Sequence, residues 1–162
     1  MTLILRLIQG LFAAYIGAFG LLVAFGNLTD YGTNFAFVQH VMSMDTIFPG
    51  NGLRYRAITN PQLHHLAYWV IILGEALSGV LCSIGALRLF RCLHSDTATF
   101  HSAKSVAALG LALAFTVWFL GFMVIGGEWF AMWQSAQWNG QSAATRFLIC
   151  IGIALLVLVH KE

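Results

Sequence analysis

Charge is what this sequence has least of. Of its 162 residues only 9% are Asp, Glu, Lys or Arg, whereas a soluble domain devotes about a quarter of its residues to them. A chain so poor in charge cannot cover a globule with wetted groups, which excludes an ordinary water-soluble fold. A net charge of +2 and the lack of any Lys/Arg run exclude a nucleic-acid partner. Cysteine is scarce as well. Cys82, Cys92 and Cys150 form no CxxC spacing, and Cys82 and Cys150 lie in apolar runs, where a thiol behaves as a small hydrophobe. Neither GxSxG, HExxH, a P-loop nor GxGxxG occurs. Nothing in the sequence asks for an enzyme.

What is present is apolar: 59% hydrophobic residues and a mean hydropathy of +0.81. Four stretches, at about 3–25, 66–87, 105–125 and 143–159, are long enough to cross a hydrocarbon layer of roughly 30 Å, which takes about 20 helical residues. In lipid the backbone must satisfy its own hydrogen bonds, so such segments are helices. The expected fold is all-α, a single integral membrane domain over 1–162 built as a four-helix transmembrane bundle. The first stretch is too long for a signal peptide and reads as a retained helix. Arg6, Arg88, Arg91, Lys104 and Lys161 fall on one side of the bundle; Arg54, Arg56 and Arg146 fall on the other. The richer side is expected to be cytoplasmic, with both termini on it, in a bacterial inner membrane.

The two loops assigned to the outer side carry the aromatic and polar residues. In "TNFAFVQHVMSMD", Phe35, Phe37, Val38, Val41, Met42 and Met44 would share one half of a helix capped by Thr33 or Asn34. In "GGEWFAMWQSAQWNG", Gly126-Gly127 should break the third span. Trp129, Met132, Trp133 and Ala136 then define the apolar face of a second amphipathic helix, with Glu128, Gln134 and Ser135 elsewhere and Ser142 capping the fourth span. Both helices are expected to lie in the membrane plane with indoles at headgroup depth. Asn60-Pro61 reads as the cap and first residue of the second span.

Glu75 is the one acid inside a span, and an ionisable group at that depth is a functional suspect. Tyr15 and Thr116 fall at similar depth on the first and third spans and Arg146 about one turn further out on the fourth, and these three are its expected partners. Six histidines raise the question of haem or metal. A transmembrane haem needs two imidazoles from different helices. His40 with His64 or His65 near the outer surface is the pairing the sequence offers, and His94, His101 and His160 with Asp96 the inner metal grouping. Solvated or interfacial histidines account for all six more simply.

The segments "GNLTDYGTNFAFVQHVMSMD" and "GGEWFAMWQSAQWNG", with Glu75 between them and Arg146 after, resemble those of a bacterial family of predicted small integral membrane proteins that carries a domain-of-unknown-function label. The resemblance covers nearly the whole chain and includes Asn27, Asn34, His40, Asp45, Arg56, Glu128, Trp133, Trp138 and Asn139. It implies four spans but no established reaction. By analogy with similar four-span proteins it implies immunity against membrane-acting toxins of bacterial secretion systems. The expected function is contact with another membrane protein, as a small accessory subunit or an immunity-type protein. Asp45, Arg54, Arg56, Glu128, Trp133 and Trp138 are the expected outer contacts and no cofactor is required. A quinone- or haem-binding redox subunit is the alternative, with proton or small-solute transport behind it.

Overall fold

The computed structural model describes residues 2–161. Its first long helix, α1, runs Thr2–Thr29, and a shorter helix, α2, follows over Tyr31–Ser43. A 3-10 turn at Gly52–Arg56 leads to α3, Pro61–Arg91. Helix α4, Thr97–Thr116, continues without a break as a π-helix through Val117–Trp129. A 3-10 turn at Met132–Gln134 then precedes α5, Gln141–Val159. The four long helices are each apolar and long enough to cross a membrane. At 1.5 Å per residue α3 is about 46 Å long, so its ends stand clear of the hydrocarbon layer.

Helices α1 and α3 form the tightest pair, with α4 packed on the opposite flank of α3 and α5 closing the bundle against α4 and α1. Small residues make that closeness feasible. A Cβ on Gly79 would come within 2.7 Å of the Leu21 backbone nitrogen, and one on Gly20 within 3.0 Å of the Glu75 carbonyl. On α3 the buried residues recur every three or four positions, from His64 through Tyr68, Ile72, Glu75, Gly79 and Cys82 to Leu89. The large side chains on the outside of the bundle, among them Leu22, Val70 and Leu156, face lipid.

The ends of the bundle differ. At the end bearing the Arg88–Lys104 connection, Arg6 and Gln9 of α1 turn inward. Arg6 donates to the carbonyls of Leu93 and Ser95 and lies 4.5 Å over the Phe100 ring. Gln9 Nε2 donates to the Val157 and His160 carbonyls. The Gln9 bonds satisfy carbonyls that the end of α5 leaves open, and the Arg6 bonds hold the connection between α3 and α4. Asp96 caps α4 by accepting from the Thr99 amide at 2.9 Å, and that bond with the Thr99 hydroxyl's holds its carboxyl below the usual range. The expected metal grouping of His94, His101, His160 and Asp96 does not form, and no set of three or more His, Cys, Asp or Glu among the described residues is placed to hold an ion.

At the other end α2 and two loops build a second layer, and here three expectations are corrected. Gly126-Gly127 does not break the third span: both glycines are buried inside the π segment, because the chain folds back upon them. A Cβ on Gly127 would meet the Gln141 side chain at 2.5 Å, and Met132 lies against Gly126. The residues after Trp129 are not a second amphipathic helix. Ala131 takes a left-handed conformation, φ 51°, which turns the chain at once into a 3-10 turn and bends. The caps shift as well. Helix α2 starts at Tyr31 without a side-chain cap from Thr33 or Asn34, and α5 starts at Gln141, whose amide donates to Asn139 rather than to Ser142. Asn60 and Pro61 open α3 as expected, with the Asn60 side chain accepting from the Gln62 amide.

The α1–α3 seam should tolerate no added bulk. Gly79→Leu is expected to destabilise the protein by about 1–3 kcal/mol or prevent folding. Gly26→Ala, where an added Cβ meets nothing within 4 Å, should be neutral or stabilising by up to about 1 kcal/mol. Thermal unfolding in mild detergent compares them; equal melting temperatures would contradict the packing described.

Candidate functional site

Glu75 sits near the middle of α3, about 21 Å along the axis from Pro61 at 1.5 Å per residue. It is only 3% exposed. Its Oε2 accepts a 2.7 Å hydrogen bond from Asn27 Nδ2 on α1, and no other described side chain bonds to it. The backbone of Asn27 is fixed in turn, since Tyr68, two turns before Glu75 on α3, donates its hydroxyl to the Asn27 carbonyl at 3.1 Å.

The expected partners of Glu75 are not there. Tyr15 is exposed and packs on Phe12; Thr116 bonds back to the Ala112 carbonyl of its own helix; Arg146 is exposed. Depth along a helix is readable from sequence, but the direction a side chain takes around the axis is set by packing. The small face of α1, Ala13, Gly17 and Gly20, turns toward the bundle, which leaves Tyr15 to lipid.

Glu75 opens onto a chamber of about 290 Å³, placed where the two apolar clusters of the core meet. Asn27, Asn34, Tyr68 and Glu75 are its polar lining, and Phe37, Trp118, Phe122 and Phe147 its aromatic walls. The walls pack on one another: Trp118 stacks on Phe122 at 4.7 Å and meets Phe147 at a tilt at 4.6 Å, ring centre to ring centre. Trp118 and Phe122 belong to the π segment. Such i→i+5 turns are rare and concentrate at functional sites.

Beside the chamber, and sharing Phe37, Val38, Ile71 and Phe122 with it, runs a wholly apolar cleft of about 480 Å³. It lies between α2, α3 and the π segment. Helix α3 packs closely along α4 but parts from the π segment beyond it, and the gap is the cleft. Its rim includes Leu66, Val70 and Ile125, all exposed on the lipid-facing side of the bundle. Together the two volumes make a space with one polar pole, at Glu75, and one apolar arm. Both lie at the scale of small-molecule sites, roughly 300–1,000 Å³.

The second layer roofs this space. Gln134 Oε1 accepts from the Phe48 amide and from Asn51 Nδ2, and Ser135 Oγ accepts from the Thr46 hydroxyl and the Trp138 amide. The bonds from Thr46, Phe48 and Asn51 latch the loop after α2 to the loop before α5. Gln134 and Ser135 are buried; Trp129 and Trp133 are about half exposed. The sequence reading put Gln134 and Ser135 on the polar face of a helix, and their burial under the loop is the departure from it.

The other expected site residues are dispersed. Trp138 is half-buried, stacked on His40 at 4.5 Å and 12°, and His40 Nδ1 meets Asp45 Oδ2 at 2.7 Å. Arg56 lies 4.9 Å over the Trp129 ring, while Arg54 and Glu128 are exposed with no contact to either chamber or cleft. Trp133 meets Phe48 edge-on. The His40 pairing with His64 or His65 is not formed. His65 bonds the Tyr31 hydroxyl and stacks on Phe35, and His64 donates from Nε2 to the Ile58 carbonyl at 2.6 Å. Sequence reasoning named Glu75 but passed over Tyr68, Trp118, Phe122 and Phe147. The available signal was the helical face of α3, where His64, Tyr68 and Glu75 stand three or four residues, or their sum, apart.

Four apolar spans around a membrane-depth acid define a multi-pass integral membrane protein. Within that class, the family model described as "Predicted small integral membrane protein (DUF2165)" matches residues 5–161, and the chain belongs to this family. No curated protein and no solved structure matches it.

Removing Asn27 leaves the buried carboxyl without a protein partner, a loss of about 1–3 kcal/mol. Asn27→Ala should therefore lower the unfolding midpoint clearly. Glu75→Gln retains an acceptor for Asn27 and should cost less. In the double variant the two effects should fail to add. Additive effects would mean that the Asn27–Glu75 bond does not carry the coupling.

Proposed function

We propose that this protein is a non-enzymatic binding protein for a membrane-soluble small molecule with a polar head and an apolar tail. The head sits against Glu75, Asn27 and Asn34, and the tail lies in the cleft between α3 and the π segment. The observation that carries the reading is the junction of the two volumes, polar at one pole and apolar throughout the other. An oily molecule already dissolved in the bilayer reaches such a site sideways, past Leu66 and Val70, without crossing water. A quinone-like head is one chemistry of this kind. Haem finds less support, because His40, His64 and His65 are each engaged elsewhere.

Native mass spectrometry of protein extracted in mild detergent, followed by organic extraction of any bound mass, tests the reading. The wild type is expected to carry or take up a lipid-soluble compound. Ala67→Trp, which fills the cleft from α3 without touching Glu75, should abolish it. A wild type that neither retains nor binds any amphipathic compound would overturn the reading.

A second reading is favoured by a separate observation. Phe48, Tyr55, Trp129 and Trp133 are all exposed on the α2-bearing end, around Arg56. Such a ridge fits contact with another membrane protein, as an accessory subunit of a complex or as an immunity-type protein against a membrane-acting toxin. Replacing Trp133 and Tyr55 with Ala should then release a partner captured by the wild type, while leaving small-molecule binding intact.

The reading places the protein in a bacterial inner membrane with both termini cytoplasmic and the α2 end outside. In a background with Cys92 and Cys150 replaced by Ser, a Cys at Tyr55 should react with an impermeant maleimide on intact spheroplasts, and a Cys at Arg91 only after lysis. The reverse pattern would invert the sidedness.

A further inference from the structure

The ligand reading leaves the chemistry of the head open, and the chamber constrains it. Among the described residues Glu75 is the only acid on the chamber wall, no Lys or Arg lines it, and Tyr68 is the one other titratable group there. One carboxyl oxygen is held by Asn27, while the other, Oε1, bonds to no described residue and belongs to a side chain that is 97% buried and lines the cavity. Arg146, the one cation on the neighbouring part of α5, is exposed. An acid at this depth without a countercharge is costly, and a ligand that brings the countercharge offsets that cost.

The walls point the same way. Phe37, Trp118, Phe122 and Phe147 line the same chamber as the acid. Ring faces attract cations, most strongly when water is excluded, and a group of aromatic walls around one site is the usual means of recognising substituted ammonium ions. Apolar substituents on the cation would have the cleft to occupy. A neutral head would use the hydrogen-bonding capacity of Glu75 and Asn27 but would leave the carboxyl without a countercharge.

We propose that the chamber binds a lipophilic organic cation of the substituted-ammonium class, its charge against Glu75 Oε1 and among the four aromatic walls, its alkyl arm in the apolar cleft. This rests on the ligand-binding reading above and narrows it to one class.

The test uses the full-length protein in lipid nanodiscs, with radiolabelled octyltrimethylammonium as the probe and empty nanodiscs subtracted. Its uncharged carbon isostere, 2,2-dimethyldecane, serves as competitor, and binding of radiolabelled decylubiquinone is measured in parallel. The wild type is expected to bind the ammonium saturably, with little competition from the isostere. Glu75→Gln should weaken binding by about tenfold or more, since it removes the charge. Trp118→Leu, which keeps the acid, should weaken it by about three- to tenfold. This second variant keeps the proposal testable if Glu75→Gln does not fold. Equal binding by the wild type and Glu75→Gln, or displacement as effective by the isostere as by unlabelled ammonium, would overturn the cation assignment. If decylubiquinone binds and the ammonium does not, the cation class fails while the ligand reading stands. If neither binds, both fail.

Discussion

One hydrogen bond deep in the bundle, from Asn27 on α1 to Glu75 on α3, organises this protein. It ties together the two helices that pack most closely, and their approach depends on residues too small to hold them apart. Gly20 and Gly79 bring the backbones near enough for a short amide to reach a carboxylate, and Tyr68 then fixes the backbone of that amide. A carboxyl at membrane depth is tolerated only where the protein supplies a partner. Here the partner satisfies one oxygen and leaves the other to a chamber. The same contact that stabilises the helix pair therefore also creates the chemically active point of the interior.

The rest of the fold arranges apolar surroundings about that point. The π segment swings Trp118 and Phe122 onto the chamber wall while moving away from α3, which opens the adjoining cleft. Two consecutive glycines let the following loop fold back over it. Gln134 and Ser135 then fasten that loop to the one after α2 by three hydrogen bonds. Polar groups buried under a roof of this kind must be paired, and they are paired with one another. The exposed indoles Trp129 and Trp133 remain outside the roof, at the end of the bundle where aromatic side chains meet headgroups.

The two ends of the bundle solve a common problem by different means. At the plain end, Arg6 reaches across to carbonyls of the α3–α4 connection and Gln9 to those at the end of α5. At the elaborated end, α2 and its loops cover the helix ends with a second layer of packing. Glu75 and its chamber lie between the two, where Asn34 and Phe37 of α2 meet the bundle proper.

Much of this was legible in the amino-acid order. The number of spans, their approximate limits, the Asn60-Pro61 start of α3 and the singular position of Glu75 follow from hydropathy and chain geometry, because lipid forces long apolar segments into helices. The partners of Glu75 were not legible. Tyr15 and Thr116 were read at its depth and Arg146 a turn further out, but helix rotation, set by the fit of Gly17, Gly20 and Gly79, turned Asn27 toward it instead. Nor was the fate of "GGEWFAMWQSAQWNG". Its spacing fits an amphipathic helix, yet burial of Gln134 and Ser135 against a loop some 85 residues earlier outweighed that local preference. Sequence alone determined what must lie in lipid, since that depends on the composition of each segment by itself. Only the tertiary structure decided which side chains meet inside, since that depends on how closely helix backbones can approach one another.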